Sequence, residues 1–272
     1  MSKGFLIYAK GDEYIKQAYL CTLSIKTSKN SYPVTLVTDD VSKITTTIYD
    51  NVLEVPWKDN DTSRYQTSSR WKNYHATPYD ETIVLDSDVL VLQNIDKWWE
   101  FLEKYDIFFP SRVYTYRNEL VTSNYYRKAF EANHLPSLYS GFHYFKKSDK
   151  SKEFFTWLEL VSNNWELFYG KMCAEYYPKV PSFDISVAIV SKILGVEHDI
   201  TNKKIDFIRF THMKPRLQGW NNPKDLWTEQ VGVYLRPNLD LIIGNFYQTG
   251  IFHYVENEFV TDNMIECYEN AL

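Results

Sequence analysis

Asp86 and Asp88 stand two residues apart inside an otherwise apolar run, TIVLDSDVLVL, from Thr82 to Leu92. A carboxylate buried without partners among β-branched and leucine side chains is costly or gives up its charge, and a second one at this spacing adds repulsion. The pair is tolerable if the strand ends or bends near Asp86, so that both carboxylates reach a cleft at its carboxyl edge where a divalent cation neutralises them. Hard carboxylate oxygens take Mn2+ or Mg2+, and an added imidazole tilts the choice towards Mn2+. The plainer reading of the same residues is one Asp capping a turn and the other paired with Lys or Arg.

The elements that must position this pair follow from the periodicity of the chain. FLIYAK is a short apolar run ending at Gly11-Asp12, a turn and cap signal, after which Tyr14, Ala18, Cys21 and Ile25 recur at helical spacing. PVTLVTDD reads as the second strand and VLEVPW as the third; a polar, Ser-rich segment, residues 59–81, leads to the strand carrying the Asp pair. Strands alternating with helical segments imply right-handed crossovers and an α/β fold with a mostly parallel central sheet flanked by helices. The ends of the first strand at Tyr8-Ala9, of the second at Thr38-Asp39 and of the fourth at Asp86 can then line one cleft. Further on, DIFFPSRVYTY is strand-like, and a long helix carries Phe154, Leu158, Val161, Trp165 and Phe168. A shorter helix starts near Asp184, for which an N-terminal cap is the default role. LDLIIGN and GIFHYVE read as a strand pair, and Thr261 caps a last helix.

Composition bounds the function. The chain has 272 residues, enough for a sizeable core, and a formal net charge of −5, which argues against a broad nucleic-acid face. Three distant cysteines, Cys21, Cys173 and Cys267, have no metal-ligand spacing, so a reducing, cytoplasmic setting is expected. The apolar stretch near the N-terminus is too short for a membrane span, and no later run reaches that length. Without a linker or repeat, residues 1–272 are expected to form a single domain, with a nucleotide-binding half to about residue 92 and a sugar and acceptor half over 93–272.

Taken in order, TLVTDD, TPYDETIVLDSDVLVL, YSGFHYF and FDISVAI resemble the GT-A (Rossmann-like) nucleotide-diphospho-sugar glycosyltransferases, most of all the glycogenin and lipopolysaccharide galactosyltransferase group. The resemblance implies a hexosyltransferase that moves a sugar from a nucleotide-diphospho-sugar, a UDP-sugar, to an acceptor the sequence does not identify, with Mn2+ or Mg2+ as cofactor. It makes Asp88 the main carboxylate ligand of the metal, with Asp86 reaching the metal or the ribose hydroxyls and Ser87 between them at the donor. Tyr8, Ala9, Asp12, Thr38 and Asp39 fall at the expected nucleotide pocket, ordinary turn chemistry at strand ends being the plainer reading of each. Arg70, Lys72 and Lys214 are candidates for positive charge on the diphosphate. Ser140-Gly141 is a tight turn or a wall of the sugar site, and Asp184 an acceptor-side or donor-hydroxyl contact.

Two departures from the family pattern stand out. Its C-terminal H-x-x-G-x-x-K-P-W is not intact; THMKPRLQGW offers His212 and Lys214, and GIFHYVE offers His253. His253 is favoured as the third metal ligand, because it closes a short apolar strand where the family's ligand sits, with His212 and Lys214 as the phosphate-facing pair. Ile185 stands where the family has Gln after Asp, which leaves the acceptor side and stereochemistry open. The remaining histidines have no partner visible in sequence.

Two other functions compete. A haloacid-dehalogenase-like phosphatase would use Asp86 as nucleophile, but its Asp-x-Asp strand lies near the N-terminus and is followed by Thr or Val where this chain has Leu90. A non-catalytic sugar-binding protein would keep the aromatic residues, which include 22 Tyr and 8 Trp. With no span and no basic amphipathic helix, the acceptor is expected to be soluble or carried by another macromolecule.

Overall fold

The computed structural model describes residues 1–57, 67–122, 127–202, 207–220 and 225–272. Part of the Ser-rich segment expected before the Asp pair, residues 59–66, lies outside them. Strand β1 (Lys3–Tyr8) has Phe5, Leu6 and Ile7 fully buried because both its faces are covered. It sits between β2 (Val34–Thr38) and β4 (Glu81–Leu85), parallel to each, and β3 (Asn51–Glu54) extends the parallel set beyond β2. The six-stranded sheet has the order β3-β2-β1-β4-β7-β6. Strands β7 (Phe142–Lys146) and β6 (Ile107–Phe108) complete it, β7 antiparallel to both β4 and β6. The carboxyl ends of β1, β2 and β4 therefore meet the amino end of β7 at one edge, as the alternating pattern led us to expect.

One face of the sheet packs Phe5, Ile7 and Leu36 against Ala18, Cys21 and Ile25 of the first helix, Asp12–Thr27. That helix follows Gly11, whose φ of 80° is the left-handed region that glycine enters without steric cost. The opposite face packs Leu6, Val84 and Phe145 against the helices Asp149–Asn163 and Phe183–Leu194. The first of these two begins at a reciprocal cap between Ser148 and Ser151. No helix among the described residues is long and apolar enough to cross a membrane.

The apolar run around the Asp pair does break where the carboxylates require it. After Leu85 the chain leaves the central sheet, and β5 (Val89–Val91) joins a second, three-stranded sheet in the order β5-β12-β8. In it β12 (Ile251–His253) lies antiparallel to β5, with His253 opposite Val89, and parallel to β8 (Phe210–His212), with His253 beside His212.

Four expectations are corrected. LDLIIGN and GIFHYVE do not pair: β10 (Leu241–Ile243) lies between β9 (Val233–Leu235) and β11 (Phe246–Tyr247) in a third sheet, while β12 is held by β5 and β8. Two apolar strands near in sequence offer no clue to partners supplied from residues 89–91 and 210–212. The long helix ends at Asn163, and a second, Trp165–Met172, starts beyond Asn164, whose φ of −127° leaves the helical region. DIFFPSRVYTY yields only β6 as a strand before Pro110, which has no amide hydrogen for a ladder. Asp184 is not the cap of its helix: Ser182 holds that position, and Asp184 lies in the first turn with its carboxylate turned elsewhere. Thr261 does cap the last helix, Asp262–Glu269, accepting from Met264 N–H.

Candidate active site

The break between β4 and β5 projects Asp86 and Asp88 from the sheet edge, and β12 brings His253 to them from the other end of the chain. Ligand atoms of Asp86, Asp88 and His253 all lie within 4.8 Å of one another. The turn is fastened on several sides. Asp86 N–H donates to Gly141 O at 3.0 Å, and Tyr254 N–H to Asp88 O at 3.1 Å. Ser87 Oγ donates to Gln17 Oε1 at 3.0 Å. Ser87 is thus buried and held by the first helix.

Each charged group has a counter-charge. Arg70 Nη1 pairs with Asp86 Oδ1 at 2.6 Å, and His253 Nε2 lies 2.9 Å from Asp88 Oδ2. Burial pushes the Asp88 carboxyl up, but His253 and then Arg70 outweigh it and hold the group below its ordinary value. Burial pulls His253 down, and Asp88 with Asp86 reverses this, raising it. Burial would lower Arg70 too, and Asp86 keeps its pKa raised.

His212 is buried behind His253, the two Nδ1 atoms 3.0 Å apart. Its pKa falls well below the ordinary value, through burial first, then through the charges of His253 and Lys214. The backbone here is tied down: Gln218 Nε2 donates to His212 O at 2.8 Å, and Met213 N–H to His253 O at 3.0 Å. Gly141 packs so closely that a Cβ there would stand 3.0 Å from His253 Nδ1.

Asp184 enters from the helix on the far face. Its Oδ1 accepts from Ser140 N–H at 3.0 Å and from Ser140 Oγ at 2.5 Å, and its Oδ2 pairs with Arg127 at 3.0 Å. Arg127 lies 3.7 Å over the Tyr139 ring. Arg127 was not singled out in the sequence, where nothing local marks it; only the fold carries it to Asp184. Gln17 was likewise missed, being one polar residue on the buried side of a helix.

The strand ends expected at a nucleotide pocket do adjoin one another. Ala9 N–H donates to Val37 O at 2.9 Å, and Asp39 Oδ1 accepts from Gly11 N–H and Thr38 Oγ1, each at 3.3 Å. Tyr8 ends β1 nearly buried. Asp12 faces outward and pairs with Lys43 at 3.0 Å. Lys72 is buried, its ammonium 5.9 Å from the Trp71 ring centroid. Two carboxylates and one imidazole nitrogen converging from a strand break and a strand end make a donor set suited to a divalent cation.

No family model matches the chain, and no curated protein matches it in sequence. Solved structures do. The galactosyltransferase LgtC, in complex with donor and acceptor sugar analogues, superposes with a TM-score of 0.55 at 12% identity over 98% of this chain and 95% of that one. Mouse xyloside xylosyltransferase 1 gives 0.51 at 13% identity over 96% and 100%. GlyE of Streptococcus pneumoniae TIGR4 gives 0.50 at 14% identity; this chain, covered in full, spans 60% of its length. The chain has the GT-A fold shared by these glycosyltransferases.

Proposed function

We propose that the chain is a metal-dependent glycosyltransferase, and a hexosyltransferase, that moves a sugar from a nucleotide-diphosphate donor to a separate acceptor. The observation that carries this reading is the convergence of Asp86, Asp88 and His253 at the carboxyl edge of the sheet, supported by a fold that its neighbours use for glycosyl transfer. In this reading the three residues hold Mn2+ or Mg2+, which supplies charge stabilisation to the departing diphosphate. Lys214 adds positive charge on the diphosphate from the loop after β8, with His212 behind it and Arg70 balancing Asp86. Tyr8, Ala9, Asp12, Thr38 and Asp39 form the nucleotide side, with UDP the expected nucleotide. Gly141 and Asp184 form the sugar side, where Ser140 and Arg127 fix the Asp184 carboxylate so that it presents one orientation to a sugar hydroxyl. Lys72, buried beside Trp71, is a further candidate for positive charge on the diphosphate.

The rival phosphatase reading needs Asp86 as a free nucleophile, whereas Arg70 holds it and three strands precede it in the sheet. The deciding experiment is calorimetric titration with a panel of nucleotide sugars, with and without Mn2+. We expect one nucleotide sugar to bind only with the cation present. Metal-independent binding of free sugar, or hydrolysis of a phosphomonoester without nucleotide binding, would overturn the reading.

A further inference from the structure

The side-by-side placement of His253 and His212 on β12 and β8 points one imidazole at another, with Nδ1 to Nδ1 at 3.0 Å. Both atoms are ring nitrogens, and at this separation a single hydrogen lies between them. If His212 carries it, neutral His253 has its own hydrogen on Nε2, facing Asp88, and that nitrogen has no lone pair to give. If a neutral His253 carries it, Nε2 is bare and turned towards the carboxylates, the form a bound cation requires.

We propose that His212 is a positioning residue that accepts the Nδ1 hydrogen of His253 and so keeps His253 in the form able to bind a cation through Nε2. This rests on the metal-site reading above. A ligating imidazole needs its other nitrogen held, most often by a carboxylate or a carbonyl; here another imidazole occupies that place. The surroundings leave His253 little freedom to choose another partner. Phe210 stacks on its ring at 5.9 Å and 15°, and Gly141 presses on the Nδ1 edge. His212 is itself fixed by the β8 and β12 ladder and by Gln218. His212 thus acts on the cation through His253.

The test is a set of variants read by Mn2+ affinity, from the electron paramagnetic resonance signal of the free ion at saturating UDP. His212→Phe keeps a ring but removes the acceptor and should weaken Mn2+ by roughly 10- to 100-fold, as loss of such an outer partner does. His212→Asn, whose amide oxygen can take the Nδ1 position, should return affinity to within a few-fold of wild type. In a His253→Ala background, His212→Phe should change nothing further. Unaltered Mn2+ affinity in His212→Phe overturns the proposal, and so does an equal loss in the His253→Ala background, which would make His212 a ligand or a general support. Nitrogen-15 spectra of the histidines of the wild-type protein with Mg2+ and UDP need no variant: His253 should show a protonated Nδ1 and an unprotonated Nε2, and the reverse overturns the assignment. A wild-type chain that binds neither ion fails the metal-site reading itself, a result distinct from each of these.

Discussion

Asp88 and His253 are separated by 165 positions in the chain and meet at 2.9 Å. They do so because β12 runs antiparallel to β5 with His253 opposite Val89, the residue that follows Asp88. Strand register therefore sets the separation between carboxylate and imidazole, so their geometry is as rigid as the sheet that carries them.

Asp88→Asn tests this arrangement with the least change of shape. It removes one charge from the donor set, and Mn2+ affinity should fall at least about 100-fold, more than the loss of an outer partner costs. The folded chain holds the Asp88 carboxyl below its ordinary value, so its ionised form also stabilises the fold above that pH. The variant should thus lose about 1.5–3 kcal/mol of stability, the range of a hydrogen bond to a charged group. Chemical denaturation and metal titration on the same sample check both effects; undiminished Mn2+ affinity would place the cation elsewhere.

Gly141→Ala tests how closely the end of β7 approaches His253 in the proposed metal site. The added methyl would stand 3.0 Å from His253 Nδ1, 3.1 Å from Cε1 and 3.2 Å from the Phe210 ring, so the imidazole must yield by a few tenths of an ångström. The expected outcome is a drop in Mn2+ affinity of about tenfold, the low end for disturbing a ligand's support, with a melting temperature close to wild type. A variant that unfolds instead would show that the glycine serves the sheet and not the histidine.

His143 makes a pH prediction. It is buried in the face opposite the first helix, stacked on Phe109 at 4.9 Å, and Nδ1 donates to Ser140 O at 3.0 Å. Burial pulls its pKa down to about 4 from the usual 6.5. Between these values the unfolded chain binds a proton that the folded chain refuses, so the contribution is complete above pH 6.5 and is lost as pH falls to about 4. The shift corresponds to about 3 kcal/mol at most. His143→Phe should match the wild type less well at pH 7 and close the gap, or reverse it, near pH 4.5. Denaturant titrations of both proteins across this range would reject the idea if the gap stayed constant.

The sequence made the parallel half of the fold and the Asp pair legible because both are local. β1, β2 and β4 are continuous apolar runs, and two carboxylates inside such a run force a break that neighbouring residues alone can reveal. His253 was favoured over His212 for its place at a strand end, and the structure does bring it to the carboxylates. Its relation to His212 was not legible, since it depends on β8 and β12 being parallel neighbours around Phe210 and Ile251. The same cause hid Arg127 and misassigned the partner of β12: each is a contact made only by the assembled fold. Asp184 shows a different limit. Its type and position matched a helix cap, but Ser140, from the β7 edge, took both of its available hydrogen bonds on Oδ1.

Arg70 is the last case, because it compensates the carboxylates in a way that competes with a cation. Its guanidinium lies 2.6 Å from Asp86 Oδ1, and both side chains are largely covered, at 22% and 14% exposure. Breaking a fully buried pair by removing one partner costs roughly 3–5 kcal/mol; for this partly covered one we expect about 2–3 kcal/mol from Arg70→Met without divalent ions. Mn2+ should then do for Asp86 what the arginine did, since a cation bound only by the folded chain stabilises it by about 2.7 kcal/mol at 100 times its Kd. The Mn2+-induced rise in melting temperature should therefore be larger in Arg70→Met than in wild type, while the proposed sugar transfer should fall if Arg70 also faces the donor diphosphate. Thermal melts with and without Mn2+ give the comparison directly. A smaller rise in the variant would mean that Arg70 helps to hold the cation site together, and that its bond to Asp86 supports metal binding instead of substituting for it.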